Sequence, residues 1–210
     1  PKMIGYPKAI NEGAKAAEGE FLVLLNDDTI LLDQPVNQWI EILHQPFNDP
    51  QVAISGPWMN WCPYAERDFL LFFCVMIRKT VFEQLGGLDV EACTAGYGED
   101  CDFCCKSEDA GYKNVQIPMA RKLEYNGQMA IGDFPIYHAG NQTFKDHPDS
   151  DLIWRNREIL KQRYGSNITK AKALDGWISD EELRWLSQRA RQSKVFVQIG
   201  AWHGKSSRVI

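Results

Sequence analysis

The chain has 210 residues, 44% of them hydrophobic and 24% charged, which is enough apolar material for a full core. Lysine and arginine number 23 against 28 aspartates and glutamates, a net charge of -5. That balance speaks against a general nucleic-acid binder, which presents a basic face. No apolar run approaches the ~20 residues that span a bilayer, the longest, Phe69 to Ile77, being strand-sized.

In chain order, Ala9 to Ala17 is rich in Ala, Lys and Glu and stops at Gly19, the pattern of a helix with a glycine end. Phe21 to Leu25 is continuously apolar and is expected to be a strand covered on both faces, ending at Asn26, Asp27, Asp28 and Thr29. Val36, Trp39, Ile40 and Leu43 recur at helical spacing, and Pro46 to Pro50 closes that helix. Strands are expected at Val52 to Ser55 and Phe69 to Ile77, then a helix from Lys79 to Leu85 ending at Gly86 and Gly87. A helix from Glu99 to Ala110, closed by Gly111, precedes a strand from Asn114 to Ile117, and Asp151 to Tyr164 is a charged helix.

This alternation predicts an α/β layered domain over residues 1–168. The composition then changes. A polar connector leads to a helix from Asp180 to Arg191, whose Ser179 and Glu182 form a capping-box pattern. Val195 to Ile199 is one more apolar strand, so 169–210 reads as a linker helix and the truncated start of a second α/β domain. The opening residues lack a charged leader followed by an apolar stretch, which makes cytoplasm the expected location, with peripheral membrane association left open. Of the six cysteines, Cys74 falls in an apolar strand and Cys101, Cys104 and Cys105 on a helix, so reduced thiols are expected. Cys101 and Cys104 have the spacing of half a zinc site, but no second pair matches it.

Four constellations could carry chemistry. Asp27 and Asp28 follow a buried strand, at the sheet edge where open α/β folds bind ligands, and paired carboxylates suit a hard divalent cation; a polar turn is the competing reading. Glu99, Asp100 and Asp102 crowd the first turn of a helix behind Gly96 and Gly98, where one carboxylate could act as general base or all could simply cap the helix. Gly86 and Gly87 before Asp89 permit a close backbone approach or a helix end. His138 follows a short apolar stretch and could ligate a metal or serve the core.

In this order, with Asn11, Gly13 and the segment Ala17 to Glu20, these motifs resemble the family-two glycosyltransferases of GT-A fold over about residues 9 to 145. The resemblance implies inverting transfer of a sugar from a nucleotide-sugar donor to a glycan or other hydroxyl acceptor. By the same likeness, Asp28 would ligate Mg2+ or Mn2+ with His138 nearby, and Asn26 and Asp27 would lie beside the ribose and diphosphate. Asp100 would deprotonate the acceptor while Glu99 and Asp102 shape its pocket, and Gly86, Gly87 and Asp89 would form the acceptor-side loop. Asn26 replaces the first aspartate of the family's commonest motif. Family members begin with a strand and nucleotide-binding segment that would precede Pro1, so the resemblance implies a domain incomplete at its amino end.

Gly200 to Gly204, after the last strand, resembles the first motif of class I S-adenosylmethionine-dependent methyltransferases, with Gln198 where an acid is usual; an adenosyl cofactor would belong to the longer parent protein. A P-loop fails by one residue of spacing. Two other readings fit the same residues. One is a nucleotide- or carbohydrate-binding module that has lost catalysis, the other a nucleotidyltransferase.

Overall fold

The computed structural model describes residues 5–93, 96–117, 123–125, 128–130, 134–140 and 150–165, together with separate positions between 171 and 208. Its centre is a mixed four-stranded sheet. The strands are β1 (Phe21–Leu25), β3 (Val52–Gly56), β6 (Cys74–Arg78) and β7 (Lys113–Gln116), in the order β1-β6-β3-β7. β6 runs antiparallel to both β1 and β3, and β7 is parallel to β3.

Helices flank the sheet. α1 (Tyr6–Ala16) starts with Pro7 in its first turn, where the missing N–H costs nothing. Together with α3 (Lys79–Gln84) and α4 (Glu99–Asp109), it contributes to one core, in which Ala14, Leu22, Leu24, Ile77, Phe82 and Phe103 meet. Phe103 is fully buried, its ring 6.1 Å from Phe72 and 5.2 Å from Phe82. Burying such a side chain contributes about 1.5–3 kcal/mol. The second core joins Leu43 of α2 (Gln38–His44) and Phe47 of the following 3-10 turn to Phe73, Met76, Phe134 and Ile136.

Two expectations about strands are corrected. β1 is covered on one face, not both: Leu22 and Leu24 are buried, whereas Val23 and Leu25 are 40% and 41% exposed, because β1 lies at the sheet's edge. The apolar run from Phe69 to Ile77 is two strands. Its start belongs to β5 (Arg67–Leu70), which forms a hairpin with β4 (Met59–Cys62), and its end to β6. Leu71, Phe72 and Phe73 cross from one sheet to the other. Their backbone groups are spent locally: Leu71 N–H donates to the Trp58 carbonyl, the Phe72 carbonyl accepts from the Tyr6 hydroxyl, and the Phe73 carbonyl accepts from Asn26 N–H. All three side chains are apolar and packed, so the sequence pattern carries no mark of the break.

Four strands of three residues each escape a reading by periodicity. β2 (Thr29–Leu31) pairs antiparallel with β10 (Ile136–His138), setting Thr29 opposite His138, and β8 (Leu123–Tyr125) pairs with β9 (Gln128–Ala130). α5 (Ser150–Tyr164) lays Leu160 against Cys62, Ala65, Cys101 and Cys105. All six cysteines are buried free thiols.

Further on, the capping box forms as expected: Ser179 N–H donates to Glu182 Oε2 at 2.7 Å and Glu182 N–H to Ser179 Oγ at 3.3 Å. The expected strand from Val195 to Ile199 lies outside the described residues apart from Gln198. Among the described residues no helix is long and apolar enough to cross a membrane.

Candidate active site

β1 ends in a turn closed by Thr29, whose hydroxyl donates to the Asn26 carbonyl at 2.7 Å. The chain then returns as β2, and its pairing with β10 brings in a residue 110 positions away. His138 Nε2 lies 3.1 Å from Asp28 Oδ1, both side chains largely buried, and Ala139 N–H donates to the Asp28 carbonyl at 3.0 Å. The Phe73 ring stacks flat on the imidazole, with centroids 4.3 Å apart. Burial lowers the His138 pKa against the opposing pull of Asp28, which favours the neutral imidazole a metal needs.

Asn26 Oδ1, Asp28 Oδ1 and His138 Nε2 are all buried without a well-aligned hydrogen bond. Three such atoms around one turn cost free energy unless something that accepts lone pairs sits among them. Oxygen and imidazole donors suit Mg2+ or Mn2+. Among the described residues no three His, Cys, Asp or Glu side chains converge. Asp28 and His138 would therefore hold such an ion with ligand oxygens and water completing its shell, the usual arrangement where a cation also binds phosphate. Asp27 is exposed at the same turn.

The second acidic motif opens α4. Gly96, Tyr97 and Gly98 all have positive φ, at 121°, 65° and 105°, and the buried Asn156 amide of α5 donates to the Gly96 and Tyr97 carbonyls, each at 2.8 Å. A Cβ at Gly98 would meet Leu160 at 3.0 Å, so glycine alone suits both the conformation and the packing. This loop delivers Asp100 to the wall of a cavity of about 230 Å³ between the β4–β5 hairpin, α4 and α5, lined also by Trp61, Tyr64, Tyr97 and Arg157. Burial pushes the Asp100 carboxyl up to about 6, although N–H groups, including those of Cys101 and Phe72, face it. A half-buried carboxylate tuned toward neutrality is suited to taking a proton.

Glu99 and Asp102 do not line that cavity. Glu99 is buried with Oε2 unpartnered, and burial first, then the neighbouring Asp100 charge, raises its pKa. Asp102, 1% exposed, turns to α5: Oδ1 accepts from Arg163 at 2.9 Å and from the Tyr164 hydroxyl at 2.7 Å, and Oδ2 lies 2.7 Å from Lys106 Nζ. Arg163 also reaches Asp89 at 2.8 Å. Asp89 caps its own turn through the N–H groups of Glu91 and Ala92. Gly86 and Gly87 end α3, and Asn11 of α1 clamps the loop with paired bonds to the Leu88 backbone, 2.7 Å from where a Gly87 Cβ would be. A Cβ at Gly87 would thus meet protein atoms, whereas none of the described atoms lies within 4 Å of one at Gly86. Gly200 lies outside the described residues. Gly204 ends a 3-10 turn at φ 75°, and Gln198 donates to Ser206 beside it.

The two acidic motifs, 72 positions apart in sequence, are joined by three consecutive residues. Leu71 lines the Asp100 cavity, Phe72 N–H faces the Asp100 carboxylate, and Phe73 touches His138 by its ring and Asn26 by its carbonyl. With Cα atoms 3.8 Å apart along the chain, Asp28 and Asp100 flank one short bridge. Arg157 and Asn156 went unread in the sequence, because an arginine or asparagine within a charged helix has no local signature.

No family model matches the chain. It is 22% identical over 196 residues to the uncharacterised protein y4gI of Sinorhizobium fredii, an alignment covering 76% of this chain and 21% of that protein. The chain thus spans about a fifth of that relative's length. Among solved structures it is similar to the mannosyltransferase PcManGT from Pyrobaculum calidifontis, in complex with GDP-Man and Mn2+, at a TM-score of 0.44 and 14% identity, over 92% of this chain and 61% of that one. A likeness that low transfers no residue's role.

Proposed function

We propose that the chain belongs to a metal-assisted, inverting glycosyltransferase of GT-A type, moving a sugar from a nucleotide-sugar donor to a hydroxyl acceptor. The observation that carries this reading is the bridge Leu71–Phe73, whose residues contact His138 of the Asp28–His138 pair at one end and face the raised Asp100 carboxyl at the other. Glycosyl transfer needs those two functions together, one at the leaving diphosphate and one at the incoming hydroxyl.

In the reaction the acceptor oxygen attacks the anomeric carbon, the bond from that carbon to the diphosphate oxygen breaks, and the acceptor proton passes to Asp100. Attack from the face opposite the leaving group inverts the configuration. When bound, the divalent cation supplies charge neutralisation for the departing diphosphate. Asp28 and His138 hold that end of the site, Asn26 with its buried, unpartnered Oδ1 opens the same turn, and Asn156 keeps the strained loop that aims Asp100. Trp61, Tyr64 and Tyr97 give the acceptor an aromatic wall.

The test is release of nucleoside diphosphate from a panel of nucleotide sugars with Mn2+ present. Asp28→Ala and Asp100→Asn should each abolish it. Full activity in both variants would remove the site assignment, and release of pyrophosphate instead would favour nucleotidyl transfer.

A further inference from the structure

The Asp100 cavity contains a cation that the transfer chemistry does not use. Arg157, projecting from α5, is the basic residue among the cavity's lining side chains, and it is half-buried. Its guanidinium lies over two aromatic rings, 5.4 Å from the centroid of Tyr64 and 5.9 Å from that of Trp154. These contacts fix the plane of the fork without using its N–H groups. Neighbouring arginines of the same helix are occupied by protein: Arg155 donates to the Glu91 carbonyl at 3.1 Å, and Arg163 pairs with Asp89 and Asp102. Arg157 has no ion pair with a described residue. Nor does it neutralise Asp100, whose carboxyl stays raised by burial.

We propose that the cavity takes a hydroxyl acceptor bearing a carboxylate or phosphate, which Arg157 binds through its N–H fork while Asp100 faces the reacting hydroxyl. The inference rests on the glycosyl-transfer reading for the role of Asp100, but the anion preference stands on the cavity alone. At about 230 Å³ the cavity lies below the ~300–1,000 Å³ of ordinary small-molecule pockets, room for one ring rather than a chain. The aromatic wall suits the apolar face of a sugar ring. A planar, weakly hydrated guanidinium backed by two rings is suited to two parallel bonds with a planar carboxylate or with phosphate oxygens.

The test measures binding to the protein without donor or metal, so its outcome is independent of whether transfer occurs. Methyl glucoside, methyl glucuronide and methyl glucoside 6-phosphate are titrated by ligand-observed NMR. At least one anion should bind about tenfold or more tighter than the neutral glycoside, and whichever binds tighter names the group. Arg157→Gln should erase the preference and Arg157→Lys should keep part of it, as a point charge without the fork. Melting curves establish that both variants are folded. Equal binding of all three glycosides, a preference unchanged in Arg157→Gln, or no binding by any of them at tens of millimolar overturns the proposal. Preferential anion binding by the parent protein with donor turnover absent would retire the transferase reading and leave the anion preference standing.

Discussion

Replacing Asp102 by asparagine separates a structural anchor from a catalytic acid. The carboxylate is 1% exposed and receives Arg163, Lys106 and Tyr164 at 2.7 to 2.9 Å. Asparagine keeps an oxygen for Tyr164 but removes the charge from the other two contacts and turns an amide toward one of the cations. Breaking a fully buried ion pair costs about 3–5 kcal/mol. Here Arg163 and Lys106 are 38% and 27% exposed and can regain water, and Arg163 retains Asp89, so the expected loss is lower, about 2–4 kcal/mol. At ~2–4 °C per kcal/mol for a chain of this size, the midpoint of that range lowers Tm by roughly 6–12 °C. Urea unfolding with matched slopes gives the free energy, and a cycle with Arg163→Ala isolates the pair. A loss under about 0.5 kcal/mol, the scale of an ordinary surface substitution, accompanied by collapse of activity would refute the anchor and return Asp102 to the chemistry.

Removing either His138 or Asp28 as alanine should weaken Mn2+ binding at least about tenfold, read by electron paramagnetic resonance of free Mn2+. For catalysis, kcat/KM should fall as pH drops through about 6, because the base form of Asp100 is lost there; a flat profile between pH 5 and 8 would remove Asp100 as the base. Glu99 has its folded-state pKa raised, so the protonated form stabilises the fold and that contribution is lost as pH rises through about 8. Glu99→Gln should therefore gain stability relative to the parent in denaturation at pH 9 and show little gain at pH 4. The Cys62 thiol, lowered to about 6 chiefly by its hydrogen bond with Cys101, lines the Asp100 cavity, whereas burial pushes Cys74 and Cys93 up to about 12. Iodoacetamide at pH 7 should modify Cys62 first, as peptide mass mapping shows, and equal labelling of Cys74 would contradict the assignment.

Elements with a local cause were legible in the sequence. The Phe21 to Leu25 run, the glycine stop after α4 and the Ser179–Glu182 box each declare themselves within a few residues. Coverage of β1 was not legible, because whether Val23 and Leu25 face solvent depends on the neighbours a strand acquires and not on its own composition. The pairing of β2 with β10 joins three-residue strands across more than a hundred positions, too short for a period and too distant for a turn signal. Asp102 was read beside Asp100 because both open the same helix. At 100° per residue, however, positions two apart point to different faces, and one meets the cavity while the other meets α5.

The same geometry shows which of four motifs of ordinary types the fold connects and which it leaves apart. A turn of acids, a helix cap, a glycine pair and a lone histidine each have a bland structural reading, and for Gly86, Gly87 and Asp89 the observed contacts are those of a helix end and a capped turn. Asp28, His138 and Asp100 differ from that pair of glycines and Asp89 in having polar atoms or charge the fold leaves incompletely matched, a property they share with Glu99. Leu71 to Phe73 bring them together through backbone groups and ring faces, contacts that apolar residues supply without any residue-specific mark in the sequence. Folding stability pays for that mismatch through the two cores on either side of the sheet, where Phe103, Ile54, Leu43 and Ile136 are fully buried. A site held in this way is expected to tolerate changes among the apolar bridge side chains that preserve their volume, but not changes that displace the bridge's backbone.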